Sequence, residues 1–308
     1  MKAIYAEQYG GPENLIYGDR PDPKFNQDSM VLKVLAASIN PVDYKILQGY
    51  MDARLPVIFP LITGWDVCGE IVELGPAVYD YEVGQRVVAY ARKDFVGHGT
   101  WAEYVSVPER GVAPAPESVD AVHASALPLA GLTAFQALTG KLEVGPGQQV
   151  VINGAAGGVG SYAVQIARAL GAEVIGTGSE GSYNRIRELG ATPAPYGEHF
   201  AEAVREIAPD GVHAVFDLYG GEGLDDAKRV LNSRGRVATI GLPADAKQHG
   251  AMYVFVKPNG PQLRELVAMV DDNKLRIDVA DTFALRDAAD AVRRAEQKHT
   301  HGKLVLAP

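Results

Sequence analysis

The stretch that most restricts this chain is an apolar strand that runs directly into a cluster of glycines and then into a helix. Gln148-Gln149-Val150-Val151-Ile152 leads into Asn153-Gly154-Ala155-Ala156-Gly157-Gly158-Val159-Gly160, and helical spacing takes over from Ser161 to Leu170. A backbone bare of side chains at such a turn lets a pyrophosphate approach the helix N-terminus, where unpaired N–H groups and the helix dipole favour negative charge. Ala155-x-Gly157-x-x-Gly160 follows the G-x-G-x-x-G plan with alanine in first place, and a second strand is expected at Glu173 to Thr177. Strand, glycine turn, helix and strand in that order are the setting a dinucleotide fingerprint requires. Ala156, Gly157, Gly158 and Val159 are the expected cofactor-binding residues of the loop. The plainer alternative is a tight strand-to-helix turn that holds nothing.

Where NAD is held by its ribose hydroxyl, an acid closes the second strand roughly 20 residues beyond the loop. This chain has Gly178-Ser179 there. With no carboxylate to repel it, a 2′-phosphate is admitted, and Ser179, Ser182, Tyr183 and Arg185 supply hydroxyl donors and one cation. NADPH is therefore expected over NADH. The competing reading makes these residues helix caps and solvent-facing groups, with Arg185 turned away along its helix.

Around the loop, the apolar runs Val150-Val151-Ile152, Val174-Ile175, Val215-Phe216, Val237-Ala238-Thr239-Ile240 and Met252 to Val256 alternate with helical patterns such as Tyr162 to Leu170 and Asp225 to Leu231. That alternation implies right-handed crossovers and a doubly wound parallel sheet, an α/β architecture. The first third reads differently: Met1 to Glu7, Met30 to Ile39, Asp66 to Leu74, Gln85 to Ala91 and Trp101 to Val107 are β-rich, and only Val42 to Leu47 suggests a short helix. After Pro114-Ala115-Pro116, Ser118 is placed to cap a helical stretch, and Leu129 to Leu138 has helical spacing. Past a linker at Lys257 to Pro261, helices are expected at Gln262 to Val270 and Leu285 to Gln297 and a strand at Lys303 to Leu306. The expected domains are 1–117, a β domain; 118–257, the nucleotide domain; and 258–308, a tail that packs back on the β domain.

Composition removes several functions. Lys+Arg 29 against Asp+Glu 38 leaves a net charge of −9 and pI ≈ 5.3, so no general basic surface is available for nucleic acid. No segment reaches the roughly 20 apolar residues of a membrane span. The single cysteine, Cys68, forms no internal disulfide, which points to a reducing, cytoplasmic setting.

Several ordered motifs together resemble the quinone oxidoreductase (zeta-crystallin-like) branch of the medium-chain dehydrogenase/reductase superfamily. They are Gly64-Trp65-Asp66-Val67-Cys68-Gly69-Glu70-Ile71-Val72, Val83-Gly84-Gln85-Arg86-Val87, Leu127-Pro128-Leu129-Ala130-Gly131-Leu132-Thr133-Ala134, the loop from Ala155 to Gly160, Phe216-Asp217-Leu218-Tyr219-Gly220-Gly221, and Gly302-Lys303-Leu304-Val305-Leu306. The resemblance implies a GroES-like β-barrel-type catalytic domain, a Rossmann domain holding NADPH, a cleft between them, and a homodimer. It also implies that Thr133 meets the nicotinamide ribose or amide and Tyr196 the adenosine side. By the same implication Gly241 and Leu242 meet the nicotinamide end, and Phe255-Val256 the carboxamide. Without the resemblance, Leu242 and Phe255 would be read as core.

Zinc-dependent members of the superfamily place a cysteine in the segment matching Asn40-Pro41-Val42-Asp43 and a His-Glu pair where this chain has Trp65-Asp66. A catalytic zinc needs three suitable protein ligands converging on one point, and the lobe that carries structural zinc shrinks here to Lys93 to Thr100, without cysteine. No metal is expected, and His299-x-His301 reads as two solvated histidines. Conjugated acceptors need less electrophilic help than isolated carbonyls, because hydride added to the far carbon sends charge to an oxygen that hydrogen-bond donors stabilise. Asn40-Pro41-Val42-Asp43-Tyr44-Lys45 resembles a variant found in enone-reducing members, which implies Lys45 as electrophile and orienter, Tyr44 as a donor and Asn40 as a contact to nicotinamide or substrate. The rival is an exposed Asp43–Lys45 ion pair. The activity so implied is NADPH-dependent, zinc-independent reduction of quinones or α,β-unsaturated ketones. The alternatives are a 2-enoyl thioester reductase and an NADPH-binding protein without turnover. Side chains from Tyr44 to Leu55, Tyr90 to His98 and Val254 to Gly260 are expected to line the pocket, and Cys68 to be a small core residue.

Overall fold

The computed structural model describes residues 1–54, 56–297 and 301–308, so Leu55 and His299 lie outside the described residues. It divides into two compact units: Met1–Leu132 with Lys257–Asn273 and Ile277–Pro308, and Thr133–Val256 with Lys274–Arg276.

The first unit opens with β1 (Lys2–Tyr5), β2 (Ile16–Asp19), β3 (Ser29–Ser38), α1 (Pro41–Leu47), β4 (Val57–Ile62), β5 (Asp66–Leu74), β6 (Arg86–Tyr90), β7 (Val96–His98), β8 (Tyr104–Pro108) and β9 (Val112–Pro114). Helices α2 (Ala121–Ser125) and α3 (Pro128–Gly140) follow. Strand β3 is buried along most of its length because it pairs antiparallel with both β5 and β8. Ser118 does not cap α2; the Asp120 carboxylate does, accepting from the His123 N–H at 2.9 Å. The division between units falls inside α3, later than the sequence boundary after residue 117. The early turns of α3 belong with the β-rich unit, where the Leu129 N–H donates to the Asp66 carboxylate of β5 at 2.7 Å.

The second unit contains β10 (Gln149–Ile152), α4 (Gly158–Ala169), β11 (Glu173–Thr177), α5 (Tyr183–Glu188), β12 (Thr192–Ala194), α6 (Phe200–Ile207), β13 (Val212–Asp217), α7 (Gly223–Arg229), β14 (Leu231–Thr239), α8 (Pro243–Gln248) and β15 (Met252–Tyr253). Its six strands are all parallel in the order β12-β11-β10-β13-β14-β15. Strand order reverses at β10 and β13, which makes the sheet doubly wound and puts its switch point beside the glycine loop. Val150, Val151 and Ile152 have no exposed surface, as a central parallel strand covered on both faces demands. The helix expected from Ser161 starts three residues earlier, because Gly157 already serves as its N-cap. The strand expected over Met252 to Val256 stops at Tyr253, and the helix expected to reach Leu231 ends at Arg229, since Leu231 already pairs with Val212.

The chain then returns to the first unit through α9 (Gly260–Asp271), β16 (Val279–Ala284), α10 (Ala288–Glu296) and β17 (Lys303–Ala307). The expected linker at Lys257 to Pro261 is already helix at Gly260, because the Asn259 side chain accepts from the Gln262 N–H at 3.0 Å. Strand β17 lies between β16 and β3, giving a seven-stranded sheet that joins these late strands to β3, β5, β6, β8 and β9, while β1 and β2 pair with each other in a sheet of their own. Among the described residues, no helix is long and apolar enough to cross a membrane.

Candidate functional site

In the nucleotide-type unit, Gly154 takes a left-handed backbone (φ +81°) that turns the chain after β10. A Cβ on Gly160 would stand 2.1 Å from the Gly154 carbonyl oxygen, so the closing glycine is required by the approach of α4 to the loop. Gly157 is exposed, and a Cβ there would meet only the Gly154 oxygen, at 3.3 Å. No side chain caps α4, so the N–H groups of its first turn face outward beside a bare backbone. Ala156 is buried, whereas Gly158 and Val159 are partly open. This loop fits a dinucleotide pyrophosphate.

At the end of β11, Ser179 is exposed and its hydroxyl lies 3.1 Å from that of Ser182. Tyr183 and Arg185 follow on α5, both half-buried, and the Arg187 guanidinium rests over the Tyr183 ring at 6.0 Å. Tyr196, just past β12, is 67% exposed. Leu242 and Phe255 are exposed by 58% and 43%, so they are not core residues, while Thr133 and Val256 are buried. The Gly241 N–H donates to the Thr239 hydroxyl at 3.0 Å.

Sequence reasoning missed the side chains that tie these turns together. The buried Asp217 carboxylate, at the end of β13, accepts from the Gly220 N–H at 2.6 Å, the Thr239 hydroxyl at 2.7 Å and the Asn153 amide at 3.4 Å. Thr177 accepts from the Gly154 N–H at 3.1 Å and donates to Asn153 Oδ1 at 3.3 Å. The C-terminal ends of four adjacent strands are thus joined around the loop. The available signal was a polar residue closing each apolar strand.

In the β-rich unit, α1 carries the other predicted residues. Tyr44 is half-buried, and burial followed by the nearby Glu296 raises its phenol above the usual range. Lys45 is exposed. Asn40, expected to touch nicotinamide or substrate, is only 2% exposed and has both ends of its amide engaged internally. Its Nδ2 donates to Asp66 Oδ2 at 2.8 Å and its Oδ1 accepts from Lys303. The exposed Asp43–Lys45 ion pair is absent as well. Asp43 is fully buried, and its carboxylate accepts from the Asn40 N–H at 2.7 Å to close the N-terminus of α1.

Asp66 also accepts from the Ser38 hydroxyl at 2.7 Å, and the Lys303 ammonium stands 3.9 Å away. Burial raises both carboxyls and lowers the ammonium. Lys303 was legible only as a lone charge in an apolar strand, and Asp66 only as a substitution in the zinc-type motif. Zinc does not fit here. Trp65 has no ligand atom, the Asp66 oxygens are engaged, and the Cys68 thiol is buried with its pKa pushed up to about 12. Among the described residues, no three His, Cys, Asp or Glu side chains gather to hold a metal.

Residues 26–117 match the alcohol dehydrogenase GroES-like domain model, and residues 189–306 the zinc-binding dehydrogenase model. The chloroplast envelope quinone oxidoreductase homolog of Arabidopsis thaliana is 31% identical over 328 residues, covering 100% of this chain and 99% of the relative. The chain belongs to the quinone oxidoreductase branch of the medium-chain dehydrogenase/reductase superfamily. Another relative in this branch, the NADPH-dependent alkenal/one oxidoreductase of the same plant, is 32% identical and covers 100% of this chain and 80% of its own length. The solved quinone oxidoreductase of Coxiella burnetii superposes with a TM-score of 0.87 at 33% identity, covering 100% of this chain and 99% of that one. As a member of this branch the protein is an oxidoreductase with a GroES-like unit and a Rossmann unit.

Proposed function

We propose that this oxidoreductase uses NADPH to reduce quinones or α,β-unsaturated ketones and does so without zinc. One observation carries the reading: α4 opens on the exposed Gly157 with no side-chain cap, and Gly178-Ser179, not a carboxylate, directly follows β11, with the Ser179 and Ser182 hydroxyls paired on either side of the exposed Glu180. When bound, NADPH supplies a hydride. The first-turn N–H groups of α4 hold its pyrophosphate. Ser179 and Ser182 accept the 2′-phosphate as hydrogen-bond donors, with Tyr183 and Arg185 behind them on α5. Tyr196, Gly241, Leu242, Phe255, Val256 and Thr133 complete the cofactor contacts.

On α1, the Lys45 ammonium stabilises charge gathering on the acceptor oxygen, and Tyr44 stands as the proton donor. The engaged amide of Asn40 makes it a support for α1 in this reading, not a substrate contact. The name of the alkenal/one reductase relative supports a conjugated carbonyl acceptor. The single buried cysteine supports a reducing compartment, read as the cytoplasm.

Purified protein is expected to consume NADPH when given 9,10-phenanthrenequinone or a simple alkenone, and to do so faster than it consumes NADH. Lys45→Ala is expected to slow turnover more than it weakens NADPH binding. Tight NADPH binding with no turnover on any conjugated acceptor would leave a binding protein instead.

A further inference from the structure

We propose that Lys303 is a positioning residue, whose buried ammonium fixes the turn from which α1 presents Tyr44 and Lys45. The inference rests on the reading of those two residues given above. Lys303 Nζ donates to the Ile39 carbonyl at 3.0 Å and to Asn40 Oδ1. The Asn40 amide is thereby held in one orientation, with its Nδ2 on Asp66, and the Asn40 N–H meets the Asp43 carboxylate that closes the helix. The Ile39 N–H is held in addition by the Leu304 carbonyl at 2.8 Å. A continuous set of hydrogen bonds thus runs from β17, near the end of the sequence, to the first turn of α1.

Two features separate this role from general stability. The residues after Lys303 in β17, Leu304, Val305 and Leu306, are buried and apolar, so an apolar side chain suits this strand. A buried ammonium among carboxylates is at best a weak source of stability compared with apolar packing of similar volume. In addition, α1 has only seven residues and is too short to hold its own geometry, so the direction of its side chains depends on its cap. What Lys303 contributes is orientation.

The test compares wild type with Lys303→Met, Lys303→Arg and the double variant Asp66→Asn/Lys303→Met, which removes the ammonium together with the carboxylate that faces it and keeps Asp43 as the one buried carboxyl beside α1. Three quantities are read: kcat and KM for an alkenone, the Kd for NADPH, and hydrogen exchange of peptides covering residues 38–47. Lys303→Met and the double variant are expected to lose about ten-fold in kcat, as misplaced catalytic groups do. NADPH Kd is expected to hold within about two-fold, and exchange to quicken at 38–47 while β5 and β6 stay protected. Lys303→Arg, which keeps the charge and the donors, is expected to restore most of the rate and the protection. A double variant that melts, exchanges and turns over like wild type would overturn the proposal. If wild type itself reduces no conjugated acceptor, the functional reading fails, and exchange at 38–47 still decides whether Lys303 orders α1.

Discussion

At the residue scale, the glycines of the loop do different jobs, and substitution separates them. A methyl at residue 160 would collide with the backbone of the loop at two consecutive residues, 2.1 Å from the Gly154 oxygen and 2.9 Å from the Ala155 Cα, with no flexible side chain to give way. Gly160→Ala is therefore expected to destabilise the protein by roughly 1–3 kcal/mol, measured by denaturant unfolding. At Gly157 the only neighbour is the Gly154 oxygen at 3.3 Å, so alanine fits but stands where a pyrophosphate would approach. Gly157→Ala is expected to keep near wild-type stability and lose nucleotide affinity, read by titration. Equal damage from both substitutions would mean that the loop is only a turn. Ser179 permits a similar separation: Ser179→Asp places a carboxylate beside the Ser182 hydroxyl, now 3.1 Å from Ser179 Oγ. NADPH affinity is expected to fall by about ten-fold or more, with NADH much less affected. An unchanged preference would remove the 2′-phosphate from this loop.

Among the elements, α1 shows best what a sequence can and cannot reveal. Its existence was legible from Asn40-Pro41, since Pro at the first helical position and a capping type before it are local signals. Its surroundings were not legible, because the burial of Asp43 is imposed by distant segments: Asn40 and Lys303 stand 263 positions apart. The strands β2, β4, β7, β9, β12 and β16 escaped notice for a related reason. Their pairing partners decide them, and a three-residue run such as Thr192–Ala194 shows no alternation. The β10–α4–β11 unit was readable because glycine spacing and strand composition there answer to neighbours in sequence. Burial of Asp43 has a consequence in pH. Its carboxyl is raised from 3.8 to about 8, so across that window the folded chain keeps a proton that the unfolded chain has released. Stability contributed by this group is complete below about 3.8 and is lost as pH rises towards 8. Asp66, also raised by burial, acts in the same direction; Lys303, lowered from 10.5, acts oppositely at alkaline pH. Asp43→Asn keeps an oxygen to accept the Asn40 N–H but has nothing to titrate. The variant is expected to match or exceed wild type at pH 8 and to show a flatter stability profile between pH 4 and 8 in urea unfolding. Parallel profiles would assign the proton elsewhere.

On the scale of the whole molecule, the β-rich unit is assembled from both ends of the sequence, so its completion waits on the last strand. The tail was recognisable in sequence as too small for a core of its own, but not its insertion between β3 and β16, because strand order is a property of the sheet and not of any segment. β17 supplies three apolar side chains, Leu304, Val305 and Leu306, that are essentially buried. Each is worth roughly 1.5–3 kcal/mol of transfer free energy, and their sum rivals the 5–15 kcal/mol that holds a typical domain folded. Removing β17 also strips β16 of its pairing strand and unpairs the end of β3 at Ala37 and Ser38, and it leaves Asp66 and Asp43 buried without the Lys303 ammonium. A chain ending at Gly302 is therefore expected to lose its cooperative thermal transition and to accumulate in the insoluble fraction. Pro308, by contrast, is exposed. A tag appended there is expected to leave the melting temperature unchanged within about a degree, because surface additions away from packed groups cost little. A truncated chain that still melted cooperatively near the wild-type temperature would show that β17 is dispensable and that the core of this unit is closed without it.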